Sequence, residues 1–254
     1  MQGNQKPKIS IIIPVYNLSR YIGQAIIDIK SQTFRDFEVI IINDGSTDNS
    51  IIEIERNISD DKRFILIKQD HKGAAAARNT GLRKACGETL LFLDGDDHFY
   101  PNMLEKIYAR YEQTLADIVI FGWRAARGNY VYSFDSQLVN SDVFAAKDCA
   151  IKLFQIVSPA SWTKLFKRSF VIDNNVKFQE EVKVCNDVYF NGILLSLAKK
   201  ITVIEEVLLE YDNQRNERLS NYNSRTVKDV ITAHIALKHK LELCQSYVFI
   251  ITFG

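Results

Sequence analysis

Three carboxylates fall within four positions at Asp94-Gly95-Asp96-Asp97, directly after the apolar run 89–93. A short apolar run bounded by polar residues predicts a buried strand, so the acids stand where a central strand ends. Carboxylates this close raise one another's pKa unless a cation compensates them. The residue set suits a hard divalent ion that takes oxygen ligands, Mg2+ or Mn2+, with Asp94, Asp96 and Asp97 as candidate ligands. A solvated acidic loop is the plainer alternative, and the apolar strand just ahead of it argues against that. Such a site at the carboxyl edge of a parallel sheet is where an open α/β fold binds its ligand. The ligand it points to is a phosphate compound.

Other residues able to do chemistry follow further apolar runs. The first run leads into Pro14-Val15-Tyr16-Asn17. The proline is expected to end the ladder and leave Tyr16 and Asn17 on the sheet's carboxyl edge. An aromatic beside an amide suits base stacking and ribose contact; it equally suits a turn in which Asn17 caps the next helix. The second run ends in Asn43-Asp44-Gly45-Ser46-Thr47-Asp48. Asp48 and Ser46 read as turn and helix-cap residues, whereas Asp44, nearer the strand, is placed to accept a hydrogen bond from a base imide. In Gly73-Ala74-Ala75-Ala76-Ala77-Arg78, small residues at a helix start allow a diphosphate to come close. Arg78 would reach a phosphate or hold an acid of the metal site. Trp162, in Trp162-Thr163-Lys164-Leu165-Phe166-Lys167-Arg168, is either a platform for a sugar ring or a partly buried core residue. Asp187, by its local sequence alone, is an acid favoured by a helix N-terminus. His98 is expected to face solvent.

The elements that must position these groups alternate. Runs at 9–13, 37–42, 64–67, 89–93 and 118–121 are rich in Ile, Val and Phe without polar alternation, as in strands covered on both faces. Between them, Tyr21, Ala25, Ile26 and Ile29 mark one helix face, and Ile51, Ile54 and Ile58 a second. The stretch 74–86 is a third helix; Met103, Leu104, Ile107 and Tyr111, after Pro101, mark a fourth. This β-α-β-α order predicts a single α/β domain with a mostly parallel central sheet and right-handed crossovers. Beyond residue 122 the pattern loosens: a hairpin over 129–139, helices over 142–156 and 188–198, a strand over 200–211 and a long amphipathic helix over 225–247. No Gly/Ser/Pro linker separates the halves, so the second is expected to pack on the same sheet.

Composition excludes several classes. Lys and Arg total 32 against 31 acids, and a net charge of +1 gives no footprint for nucleic acid. Four cysteines without paired spacing suggest small buried thiols, a reducing compartment and no zinc site. No run reaches the ~18 apolar residues of a membrane span, and 1–8 lacks a signal-peptide core. A cytoplasmic protein is expected. The apolar stretch 247–253 suggests core packing or a boundary within a longer chain, with a membrane-surface contact or homodimer as the alternative. No G-x-G-x-x-G follows the first strand and no G-x-x-x-x-G-K-[ST] occurs, against nicotinamide, flavin and P-loop classes.

Taken together, "SIIIPVYN", "INDGSTDNS", "GAAAARNTGL", "LDGDD", "WTKLFKR" and "NDVYF", in this order across about residues 8–215, resemble the inverting family-2 glycosyltransferases with their GT-A fold. The resemblance implies a nucleotide-diphosphate sugar donor, most often UDP-linked, and a glycan or lipid-linked sugar acceptor. It implies that Pro14, Tyr16, Asn17 and Asp44 hold the nucleoside and that Arg78 lies near the diphosphate. It also makes Asp94-Gly95-Asp96 the D-x-D motif, Trp162 part of the donor and acceptor pocket, and Asp187 the general base. The halves 1–122 and 123–254 would then serve donor and acceptor. Three departures stand out: Asn186 where relatives carry Glu, Gly95 where Ser or Ala is usual, and Arg215 displaced from a Tyr-x-Arg pattern. A sugar-1-phosphate nucleotidyltransferase would need a Gly-rich loop at 14–17, which is missing; a sugar-nucleotide-binding protein without turnover is the other alternative.

Overall fold

Ile11, Ile12 and Ile13 are fully buried in succession, which a strand achieves only when both faces of its sheet are covered. The computed structural model describes residues 6–59, 61–127, 131–132, 145, 160–182, 186–212, 232, 235–236 and 239. Strand β1 (Ile9–Val15) sends Ile9, Ile11, Ile13 and Val15 into one apolar layer with helices α1 (Ile22–Lys30), α2 (Ser50–Ile58) and α4 (Met103–Thr114). Ile12 enters the opposite layer with α3 (Ala74–Lys84) and α6 (Asn186–Leu197). Strands β2 (Phe37–Asp44) and β4 (Thr89–Phe92) divide their side chains in the same way.

The other strands are β3 (Phe64–Gln69), β5 (His98–Phe99), β6 (Ile118–Ala125), β7 (Val131–Tyr132), β8 (Lys164–Lys167) and β9 (Ile201–Tyr211); α5 is Arg168–Asp173. The sheet order is β3-β2-β1-β4-β8-β6-β9-β5, with β7 on β6. The first four strands run parallel, Ile12 lying opposite both Ile40 and Phe92. β8 runs antiparallel between β4 and β6, and β9 is parallel to β6. The chain winds outward from β1 to β3, then returns to place β4 on β1's other side. That reversal opens a crevice at the carboxyl ends of β1 and β4. One sheet carries strands from both sides of residue 122.

Local departures from the sequence reading have physical causes. β1 continues to Val15 instead of ending at Pro14. The Ile12 carbonyl accepts Leu93 N–H on the β4 side, so the imino nitrogen of Pro14, two residues on, faces the same way past the end of β4, where no ladder bond is lost. β3 is an edge strand, so Ile65 is exposed rather than covered on both faces. Cys86 lies beyond α3 and is exposed, not a buried helical thiol; it donates to Glu38. Strand β8 was not visible in the sequence as a strand. The hairpin over 129–139, the helices over 142–156 and 225–247, the apolar stretch 247–253, Arg215 and the other three cysteines fall outside the described residues, apart from single positions. Among the described residues no helix is long and apolar enough to cross a membrane.

The alanines of α3 pack against the sheet. Ala75, Ala76 and Ala77 are buried, and a Cβ on Gly81 would come within 2.4 Å of Ile12 Cγ2. Small residues thus seat α3 close against β1 and β2. This brings Arg78 over the carboxyl ends of the strands.

Candidate active site

Arg78, buried one turn into α3, is the hub of the crevice. Its Nη2 donates to Asp94 Oδ1 at 2.7 Å and its Nη1 to Asn186 Oδ1 at 3.2 Å, and Nη1 stands 3.5 Å from Asp187 Oδ1. The guanidinium lies over the Phe178 ring, and its Nε is buried with no hydrogen-bond partner among the described residues. Burial pulls the Arg78 pKa down, but the Asp187 and Asp94 carboxylates outweigh it and the net shift is upward. Asp94 is displaced upward, first by burial, then by the Asp96 and Asp187 charges, against the opposing pull of Arg78. One cation therefore serves acids brought from the β4 loop and from α6.

Asp187 is the second residue of α6 and accepts from Ser161 twice: from the hydroxyl at 3.0 Å and the backbone N–H at 3.3 Å. Ser161 opens a 3-10 turn, Ser161–Thr163, that leads into β8. Lys164 braces this turn: its Nζ donates to the Ala160 carbonyl at 2.7 Å and to Thr163 Oγ1 at 3.0 Å. Lys164 is 0% exposed. Burial pushes its pKa down to about 7, while the nearby Asp187 carboxylate pushes it up. Asn191, a helical turn after Asp187, donates to the Asp187 carbonyl and the Ser161 hydroxyl. Sequence reasoning missed Ser161, Lys164 and Asn191. The available signal was a lysine at the head of an apolar stretch, Lys164-Leu165-Phe166, which is costly to bury unless its ammonium is held.

The acidic loop divides its labour. Asp94 and Asp96 are partly exposed, while Asp97 is buried and accepts the Asp212 N–H at 3.1 Å. Register shifts at Gly122 curl the sheet so that the end of β9 pairs with β5 and reaches this loop. Among the described residues no three His, Cys, Asp or Glu side chains converge as a metal cage. The expected third ligand, Asp97, is thus engaged in tying the loop to β9. Asp94 and Asp96, both partly exposed, are oxygen ligands of the kind Mg2+ and Mn2+ take, and could hold such an ion. At Gly95 a Cβ would meet Ile22 Cδ1 at 3.0 Å and Leu18 Cδ1 at 3.1 Å, so this loop lies directly on the α1 layer.

Along the same edge, Asp44 is 2% exposed and accepts from Gln69 Nε2, Lys72 N–H and Gly73 N–H at 2.7–3.0 Å. His71 Nδ1 is 2.9 Å from Asp44 Oδ2, and the imidazole stacks on the Tyr16 ring at 3.9 Å. Asn17, at φ 54°, accepts the Thr47 N–H and donates its own N–H to Ser46, fastening the β1 exit to the β2 exit. Asp48 accepts the Ser50 N–H at 2.9 Å and so holds the turn before α2, but the N-cap position of that helix is Asn49, not Asp48 or Ser46. Trp162 is 7% exposed, stacks on Tyr211 and meets Trp123 edge-on. It packs as a core residue, and one ring face is already taken. His98 is exposed and pairs with Asp28.

An α/β sheet with its acids gathered at the switch point defines a GT-A-like fold. S. aureus TarS 1–349 in complex with UDP-GlcNAc superposes with a TM-score of 0.77 at 21% identity, over 90% of this chain and 66% of that one. The mannosyltransferase PcManGT of Pyrobaculum calidifontis, in complex with GDP-Man and Mn2+, gives 0.65 at 17% identity over 93% and 65%. The model of glycosyl transferase family 2 matches residues 10–173, and the chain belongs to that family. Among curated relatives, the putative glycosyltransferase EpsH of Bacillus subtilis is 29% identical over 87% of this chain and 65% of its own length. Glycosyltransferase GlyA of Streptococcus pneumoniae is 28% identical over 80% of this chain and 30% of its own. The chain thus spans between about a third and two thirds of these relatives.

Proposed function

We propose that the chain is a metal-dependent, inverting glycosyltransferase. It moves a hexosyl or N-acetylhexosaminyl group from a UDP-linked donor to a hydroxyl of a glycan or lipid-linked sugar, in surface polysaccharide synthesis. The observation that carries this reading is the Arg78 guanidinium, which holds Asp94 of the acidic loop and reaches Asp187 of α6. TarS binding UDP-GlcNAc, and the mannosyltransferase binding GDP-Man with Mn2+, support the donor class and the metal as fold-level analogies. In this reading residues 1–122 hold the donor and 123–254 the acceptor. A lipid-linked acceptor would set a cytoplasmic protein peripherally at the membrane's inner face.

Each residue then has a task. Tyr16 and Asp44 receive the nucleobase, and Asn17 keeps their two loops together. Asp94 and Asp96 would hold Mg2+ or Mn2+, which when bound offsets the charge growing on the departing nucleotide diphosphate. Asp187, kept in place by Ser161, takes the proton from the acceptor hydroxyl as that oxygen attacks the anomeric carbon from the face opposite the leaving group. Attack from that face inverts the anomeric centre. Asn186 leaves Arg78 with a neutral acceptor where a glutamate would add a third carboxylate.

The test is a panel of UDP-, GDP- and dTDP-sugars in thermal shift with and without Mn2+, followed by a nucleotide-release assay with the best donor. Asp187→Asn is expected to abolish release while donor-induced stabilisation survives. Undiminished release would remove Asp187 as the base, and binding without any release by the unmodified chain would favour a sugar-nucleotide-binding protein.

A further inference from the structure

The Asp44 carboxylate is full. Its Oδ1 accepts from Gln69 Nε2 and Lys72 N–H, and its Oδ2 from Gly73 N–H with His71 Nδ1 at 2.9 Å. Two oxygens offer about four lone-pair sites, so an incoming imide N–H finds none vacant. Two of the donors are backbone groups in the turn just before α3, and Gln69 belongs to β3. His71 differs from them. Its side chain is half exposed, and its ring lies on Tyr16 with centroids 3.9 Å apart and planes 25° from parallel. Nδ1 also faces the Asp44 carbonyl oxygen at 3.0 Å. A ring nitrogen between two oxygen acceptors can only donate to them.

A flat ring stacked on Tyr16, giving one N–H to Asp44, is a copy of what a pyrimidine imide would do there. We propose that His71 occupies the nucleobase subsite as an internal stand-in, and that the donor's base binds by displacing the imidazole from Tyr16 and Asp44. His71 then sets donor affinity by competition, and the space its single ring leaves favours a one-ring base with an imide N–H. This rests on the reading of Tyr16 and Asp44 as the base site.

Calorimetry with UDP and with inorganic pyrophosphate, both with Mg2+, on the unmodified chain, His71→Ala and Tyr16→Ala separates the two ideas. His71→Ala is expected to bind UDP about tenfold more tightly, the scale of one aromatic stack no longer displaced, with pyrophosphate unchanged. His71 is one of four histidines, so its imidazole NMR signals, assigned by their loss in the variant, should shift as UDP saturates the unmodified chain. Unchanged or weaker UDP binding by His71→Ala, or His71 signals that stay put at saturation, overturns the stand-in. If Tyr16→Ala keeps the full preference for UDP over pyrophosphate, the base site itself is misplaced, and the stand-in falls with it. Lys72 and Gly73 still anchor the loop to Asp44 in the His71 variant, so it should fold.

Discussion

Replacing Arg78 by methionine tests whether one guanidinium holds the crevice together. Methionine keeps the length and packing over Phe178 while removing the donors to Asp94 and Asn186 and the charge facing Asp187. Removing one member of a buried ion pair costs about 3–5 kcal/mol. The Asp94 and Asp187 side chains are 29% and 20% exposed, so water relieves part of this and roughly 2–3 kcal/mol is expected. For a chain of this size that is a fall of roughly 4–12 °C in Tm. The sign with pH also follows. Asp94 is displaced upward in the folded state, so its contribution is fully present below its unfolded pKa and is lost as pH rises through the folded one. Without Arg78 that upward displacement grows, so the variant's deficit should be larger at pH 8 than at pH 5. Thermal unfolding at the two pH values, in EDTA, measures both. A Tm within 1–2 °C of the parent's, the range of an ordinary surface change, would show that the acids do not depend on this cation.

Two further outcomes follow from the geometry. Lys164 is held down at about 7 against its ordinary 10.5, so the unfolded chain takes up this proton first and stability should rise with pH between those values, by a few kcal/mol at most; Lys164→Met should flatten that rise in urea melts run from pH 7 to 10. Gly81→Ala places a methyl 2.4 Å from Ile12 Cγ2 and 2.9 Å from Ile42 Cδ1, and overpacking of about 1–3 kcal/mol should appear as a lower urea midpoint with an unchanged slope.

The parallel half of the sheet was legible because β1, β2 and β4 are buried on both faces, so their runs are almost wholly apolar, interrupted only by Ser10, Glu38 and Thr89, and end in polar loops. The carboxyl-edge residues Asp44 and Asp94 were legible for the same reason: each follows such a run. Strand β8 was not, because only four residues long and headed by a lysine it carries no period. Ser161 bonds Asp187 across more than twenty positions and Lys164 braces the turn that carries Ser161; no local pattern encodes such a contact.

The order of types along the chain thus determined the alternation of strands and helices, and with it which edge collects the acids. Tertiary structure alone decided their partners. Asp97 turned inward because the sheet curls β9 toward its loop. The α3 alanines and Gly81 pack on the sheet because a helix needs small residues to seat Arg78 this close to it. Trp162 packs against Tyr211 because β9 brings that ring from the far end of the chain. In each case the deciding quantity is a distance between segments remote in sequence, set by how the layers close.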